Sequence, residues 1–382
     1  MSGASVEHYS PGLEGVIASE TAIANIEGKD GAGGLEYRGY PIEELAGHVS
    51  YEETAFLLLH GDLPNRAQLR DFDARLRSAR AIPDPLIELF ARIPRHIHPM
   101  DVLRSSVSVL AHFDPDVNAP PTDHAANVRK AERMVAQMAS AVAIRERIAS
   151  GLPVIPARDD LDHAANFLYM VNGKVPSAAM RDAFDISMVL YTEHELNAST
   201  FAARVTVSTL SDIYSGIVAA VGTLKGPLHG GANEEAWTVL EKVGSPENAE
   251  RWIKEALARK ERIMGFGHRV YKTGDPRASI LKQYCIELAR EVGDDRWERT
   301  AEPIERAMTT QKLLPPNVDW PSARLYHYMG LALDLYTPIF AMARVAGWAA
   351  HVIEQLDHNR LMRPRALYVG PPHRRVKPIG DR

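Results

Sequence analysis

Beyond residue 45, apolar residues recur at intervals of three and four and form no comparable series of alternating segments. That period builds helices with one buried face and cannot sustain an extended sheet. Residues 127–150 carry Val128, Ala131, Met134, Val135, Met138, Val142 and Ile148 at helical spacing, and Gly151 ends the run. Pro176-Ser177 opens a further helix towards His194, and residues 212–224, 247–263 and 278–292 read the same way. The last long helix begins near Pro338 and passes Trp348 to Gln355. Ser50 and Glu53 have the spacing of a capping box, in which two side chains satisfy orphan amide donors reciprocally. Only residues 12–40 differ: glycines, an Asp30-Gly31 pair and short apolar pieces predict one or two small hairpins.

Two breaks divide the helical region. One is Lys225-Gly226-Pro227-Leu228-His229-Gly230-Gly231; the other is Leu314-Pro315-Pro316-Asn317. The stretch between them has the size of a small domain. The expected architecture is all-α, with residues 1–224 and 330–382 forming a large helical domain that carries the dimer contacts, and residues 225–329 a smaller one that closes over the active site.

Composition removes several function classes. A formal charge of −5 opposes non-specific nucleic-acid binding, and Cys285, the single cysteine, permits no intrachain disulfide and fits a reducing compartment. No apolar run reaches the roughly 18–20 residues that span a bilayer. The start has no basic segment followed by an apolar one, so it does not read as a secretory signal, and a cytoplasmic location is expected.

Three histidines stand in unusual settings. His229 lies in Gly-Pro-Leu-His-Gly-Gly-Ala-Asn, immediately before a helical stretch whose free amides favour an anion or a developing oxyanion. His268 lies in Gly-Phe-Gly-His-Arg-Val-Tyr-Lys-Thr-Gly-Asp-Pro-Arg, and His194 in Glu-His-Glu-Leu-Asn-Ala-Ser-Thr. Each taken alone also reads as a turn or cap histidine. None has His-Glu-x-x-His spacing and there is no cysteine pair, so no metal site is expected. Phosphate-loop and dinucleotide fingerprints are absent in their strand–turn–helix context. Arg344 sits in an otherwise apolar helix, where a guanidinium is costly unless it meets an anion; the alternative is a partly exposed side chain whose stem covers apolar surface. Asp319 follows Pro-Pro-Asn-Val and is either a carboxylate held towards a cleft or a helix N-cap.

Together these segments resemble the citrate synthase family, including the 2-methylcitrate synthases. Residues 265–277 and 226–233 match its two catalytic histidine segments, and Asn317-Val318-Asp319 its catalytic aspartate segment. Thr337 to Trp348, then Arg360-Leu361-Met362-Arg363-Pro364-Arg365, resemble its C-terminal part; Gly-Leu-Glu-Gly-Val and Tyr37-Arg38-Gly39-Tyr40 extend the likeness to the start.

The resemblance implies a homodimer with a large and a small domain, acting on oxaloacetate and an acyl-CoA substrate and needing no cofactor. It implies Asp319 as the base on the acyl α-carbon, His229 as donor to the thioester oxygen and His268 as donor to the oxaloacetate carbonyl. His194, Arg277 and Arg344 would hold oxaloacetate, with Arg363 contributed across the dimer interface, and Arg269 and Lys272 are the expected CoA contacts. The stretch after His194 varies in the family, and no role is carried over to Asn197. Acetyl-CoA is the expected acyl donor, since Arg365 leans towards citrate synthase. Tyr326-His327 resembles the branch that uses propionyl-CoA. A catalytically dead scaffold is the rival of another class, and the intact His229, His268 and Asp319 set opposes it.

Overall fold

The computed structural model describes residues 9–27, 34–268, 270–271 and 274–382. The only sheet among them has three short antiparallel strands in the order β1 (Ala24–Asn25), β2 (Glu36–Tyr37), β3 (Tyr40–Pro41). Arg38 and Gly39 join β2 to β3 with φ of 50° and 86°, the paired positive values of a tight hairpin turn, so glycine is the natural residue at the second position. The Asp30-Gly31 turn expected from the sequence lies outside the described residues.

Helices account for most of the rest. The first ten are α1 (Ile42–Leu45), α2 (Tyr51–His60), α3 (Arg66–Ser78), α4 (Asp84–Arg92), α5 (Pro99–His112), α6 (His124–Ala149), α7 (His163–Asn172), α8 (Ala178–Tyr191), α9 (Ala198–Val207) and α10 (Ile213–Leu224). Then come α11 (Ala232–Val243), α12 (Pro246–Ala258), α13 (Pro276–Val292), α14 (Arg296–Gln311), α15 (Asp319–Tyr328) and α16 (Tyr336–Asp357). The all-α expectation holds. The capping box is present: Ser50 Oγ accepts from Glu53 N, and the Glu53 carboxylate accepts from Ser50 N. The helix expected over 247–263 stops at Ala258, because Lys260 turns to φ 55° and Glu261 N returns to Ala256 O, closing the helix end.

Helix α16 is buried on nearly every side and packs against α2, α5, α6, α8, α9 and α10. A helix apolar all round belongs in a core, and here it carries Arg344 through the middle of one. Helices α11 to α15 pack mainly on one another. Buried Arg324 braces them: its Nε donates to Glu298 (2.7 Å) and its Nη2 to Glu305 (3.2 Å), which also accepts from Trp320 Nε1 (2.9 Å). Removing one partner of so buried a group costs about 3–5 kcal/mol, so α15 is held firmly against α14. Helix α8 meets α13 and α15, and α16 meets α11. The site forms along that seam.

Candidate active site

Helix α8 ends at Tyr191, and residues 192–197 lead into α9, whose N-cap is Asn197. Glu193, fully buried, accepts from His194 N (2.8 Å) and from His351 Nε2 (3.0 Å). Arg204 Nη1 donates to the other ring nitrogen of His351 (3.1 Å), which leaves the His351 proton on Nε2, aimed at Glu193. Helix α16 reaches this turn only because residue 347 is glycine: a methyl there would drive into Glu193 Oε2 and the Thr192 carbonyl. The Tyr37 hydroxyl, from the small sheet, donates to the Glu193 carbonyl (3.0 Å) and pins the same turn from the other side.

His229 follows the break after α10. The Ser199 amide donates to its Nε2 (3.3 Å), and Ser199 Oγ lies 2.8 Å away. A backbone N–H cannot turn away, so Nε2 must carry the lone pair and the proton sits on Nδ1. Ser199 Oγ is itself held by Trp348 Nε1 (3.0 Å) and Asn197 Oδ1 (2.7 Å). Asn197, left without a role by the sequence, therefore caps α9 and braces the serine behind His229.

His268 repeats the arrangement with the nitrogens exchanged. Its Nδ1 accepts from Val270 N (3.1 Å) and Tyr271 N (3.3 Å), which puts the proton on Nε2. The Tyr271 ring stacks on His268 at 4.6 Å, and its hydroxyl lies 3.0 Å from His194 Nε2. The rings of His194 and His268 are 5.1 Å apart, edge to face.

Two loops then meet. Gly267 N donates to Pro315 O (2.8 Å), Asn317 N to Gly265 O (2.9 Å) and Asn317 Nδ2 to Gly267 O (3.0 Å), which ties the His268 loop to the segment before Asp319. Asp319 is the first residue of α15 and does not cap it. Its Oδ1 instead accepts from the Tyr191 hydroxyl (3.0 Å), so of the two sequence readings the cleft-facing carboxylate is the one realised. Asp275 caps α13, accepts from Arg277 Nε (2.9 Å) and Nη2 (2.8 Å), and takes Val318 N (3.1 Å), joining Arg277 to the start of α15. Arg344 is 2% exposed; its Nε donates to Tyr191 O (2.9 Å) and its guanidinium lies 4.3 Å from the Phe340 ring centroid. Neither Arg277 Nη1 nor either Arg344 Nη has a hydrogen-bond partner among the described residues.

These groups line one cavity of about 700 Å³: His194, His229, His268, Arg277, Asp319 and Arg344 all face it. Burial dominates its electrostatics. Desolvation, aided by Arg344, lowers His229 to about 3, and desolvation, Arg277 and His268 hold His194 well below its ordinary value, so both stay neutral. Desolvation raises Asp319 to about 6 against the opposing pull of Tyr191 and Arg277. Desolvation lowers Arg344 to about 10, whereas Arg277, also desolvated, is carried above its ordinary value by Asp275. A weakly basic carboxylate, two neutral N–H donors and two cations around one cavity suit proton removal from a carbon acid beside a carboxylate-bearing partner.

Arg363 is not in this cavity. It lines a second one of about 970 Å³, between residues 13–22 and the exposed C-terminal tail. Arg269 and Lys272 lie outside the described residues. Sequence reasoning missed Tyr191, Ser199, Glu193 and Asp275; only Asp275 carried a local signal, an acidic residue ahead of the helix-opening Pro276.

A family model described as "Citrate synthase, C-terminal domain" matches residues 12–365. Citrate synthase 2 of Bacillus subtilis is 46% identical over 97% of this chain and 98% of its own length. A 2-methylcitrate synthase of Mycobacterium tuberculosis is 44% identical over 94% of this chain and 90% of its own. Among solved structures, citrate synthase from Thermoplasma acidophilum, in a ternary complex with carboxymethyl coenzyme A and oxaloacetate, superposes with a TM-score of 0.90 at 35% identity, covering 98% of this chain and all of that one.

Proposed function

The chain belongs to the citrate synthase family, and from that premise we propose that it condenses acetyl-CoA with oxaloacetate and water to give citrate and CoA. It is an acyltransferase of the type that turns acyl into alkyl on transfer. The observation that carries the reading is the matched pair of histidines. A fixed backbone amide occupies Nε2 of His229 and Nδ1 of His268, so each ring offers its N–H on the opposite nitrogen.

Oxaloacetate binds first in this account, its carboxylates on Arg277 Nη1 and the Arg344 guanidinium beside His194. Arg363 completes the site from a second copy of the chain, in a homodimer. Residues 225–329 then close over the cleft as a smaller domain, which limits thioester hydrolysis before both substrates are seated. Asp319 takes a proton from the acyl α-carbon. The electron pair moves towards the thioester oxygen, where His229 Nδ1–H stabilises it. The nucleophilic carbon attacks the oxaloacetate carbonyl, and His268 Nε2–H supplies the donor for the oxygen that becomes the product hydroxyl. Water then cleaves the thioester and releases CoA. The acyl-CoA is consumed and no resident cofactor takes part. We assign the reaction to the cytoplasm and, with acetyl-CoA, to the tricarboxylic acid cycle.

Propionyl-CoA, giving 2-methylcitrate, is the second reading, since relatives of nearly equal identity carry the two names. The pockets differ by one methylene, worth about 1–3 kcal/mol. The test is free-thiol release with each acyl-CoA at saturating oxaloacetate. Preference for acetyl-CoA by kcat/KM supports the first reading, and preference for propionyl-CoA the second. Release from neither leaves only a non-catalytic scaffold. Asp319→Ala should lose about 10²–10⁴ in kcat with its unfolding transition intact; substantial residual turnover would overturn the base assignment.

A further inference from the structure

Asp319 presents its two carboxylate oxygens differently. Oδ1 takes the Tyr191 hydroxyl at 3.0 Å, while Oδ2 has no hydrogen-bond partner among the described residues. Behind Tyr191 Oη, at 2.7 Å, lies Ser322 Oγ, one turn along α15 from Asp319 and 3.1 Å from the Asp319 carbonyl. The three side chains come from two elements, Tyr191 from the end of α8, Asp319 and Ser322 from the first turn of α15.

Proton counting fixes the direction of this chain. The two hydroxyls hold two hydrogens, and an ionised carboxylate can only accept. Tyr191 must therefore donate to Oδ1. Its oxygen then has lone pairs free for Ser322, whose hydrogen completes the chain and polarises the phenol towards the carboxylate. Reversing the Tyr191 hydroxyl would set two oxygens without a hydrogen against each other beside a charge. The ring cannot drift, since it is buried against Phe340 with centroids 4.3 Å apart. The Tyr191 carbonyl meanwhile holds Arg344 Nε at 2.9 Å, so one residue braces both the base and an anion-binding cation.

We propose that Tyr191, oriented by Ser322, is a positioning residue that clamps Oδ1 of Asp319 and leaves Oδ2 as the oxygen that takes the substrate proton. This rests on the reaction proposed above. The clamp favours the ionised form of Asp319 and opposes the desolvation that raises it; the other groups facing the carboxylate are Arg277 and Arg344, which also favour ionisation, and Asp275, which opposes it. Tyr326 and Arg277 face the Tyr191 hydroxyl.

Tyr191→Phe keeps the ring and the carbonyl and removes the hydroxyl. The acid limb of kcat/KM for the acyl-CoA should move up by about one pH unit, the size of one charge-assisted hydrogen bond. Plateau kcat should fall about tenfold, with KM for oxaloacetate within twofold of wild type. Ser322→Ala should move the limb the same way by less, and adding it to Tyr191→Phe should move the limb little further, because without the phenol Ser322 keeps only its contact with the Asp319 backbone carbonyl and none with the carboxylate. A merely structural role would lower kcat equally at every pH. An unmoved limb in Tyr191→Phe, or shifts that add in the double variant, overturns the proposal. Wild type run alongside separates the two claims: no thiol release from wild type sinks the reaction itself, whereas an active wild type with an unmoved variant limb sinks only the clamp.

Discussion

The burial of Arg344 should offset most of what its contacts contribute in the ligand-free protein, and binding oxaloacetate should recover that cost. It is a buried cation whose Nε meets a carbonyl and whose terminal nitrogens meet no carboxylate among the described residues. Desolvation takes it from 12.5 to about 10. The sign follows directly: a cation with a depressed folded pKa is disfavoured in the folded state at every pH below that value. At about 1.36 kcal/mol per unit the penalty is on the order of 3 kcal/mol at neutral pH. Arg344→Met removes it while keeping an unbranched apolar stem. The variant loses a hydrogen bond from a charged donor, about 1.5–3 kcal/mol, and a desolvated contact with Phe340 worth about 2 kcal/mol. These losses match or exceed the relieved penalty, so the variant should be less stable by only about 0–2 kcal/mol, read from the denaturant midpoint at unchanged slope. Oxaloacetate at about a hundred times its Kd stabilises wild type by about 2.7 kcal/mol and should barely move the variant, so the gap between the two widens by that amount when the ligand is added. A ligand-free variant destabilised by the full loss of about 3.5–5 kcal/mol from those contacts, or one stabilised equally by oxaloacetate, would refute the account.

Three further outcomes can be checked. Gly347→Ala forces Glu193 and the Thr192 carbonyl aside; overpacking of this kind costs about 1–3 kcal/mol, and because the displaced turn carries His194, KM for oxaloacetate should rise about tenfold, so unchanged melting and KM would contradict the contact. For wild type, kcat/KM for the acyl-CoA should climb with pH through a limb near 6, where Asp319 ionises. The linked stability has the opposite slope: an acid with a raised folded pKa costs the fold stability as pH rises from about 4 through about 6, so Asp319→Asn should gain relative stability at pH 8 and not at pH 4. Equal unfolding free-energy differences at both values would dismiss the desolvation argument.

What the sequence yielded depended on how local each cause is. Capping at Ser50 is settled within one helical turn, and the box formed there with Glu53 is present. Helix α12 ended early because a left-handed Lys260 is permitted without being signalled. Six expected site residues share one cavity, yet the ambiguity at Asp319 could not be resolved from its neighbours. A carboxylate at a helix start has a cap pattern whichever way it points, and what turns it here is Tyr191, 128 residues away. The same holds for Glu193, whose partner His351 lies 158 residues on.

His229 and His268, the two histidines proposed as donors, divide along the same line. For His268 the amides that fix the proton on Nε2 belong to residues two and three positions later, so the motif itself contains the device. For His229 the amide comes from Ser199, thirty residues earlier, and that serine is held by Trp348 on α16. The local motif therefore brings a histidine to a flexible break in the chain, and only the packing of α9 on α16 decides which nitrogen it offers. A substitution along that packing, such as one at Gly347, reaches both His194, proposed for oxaloacetate, and His229, proposed for the thioester, although Gly347 does not line the cavity.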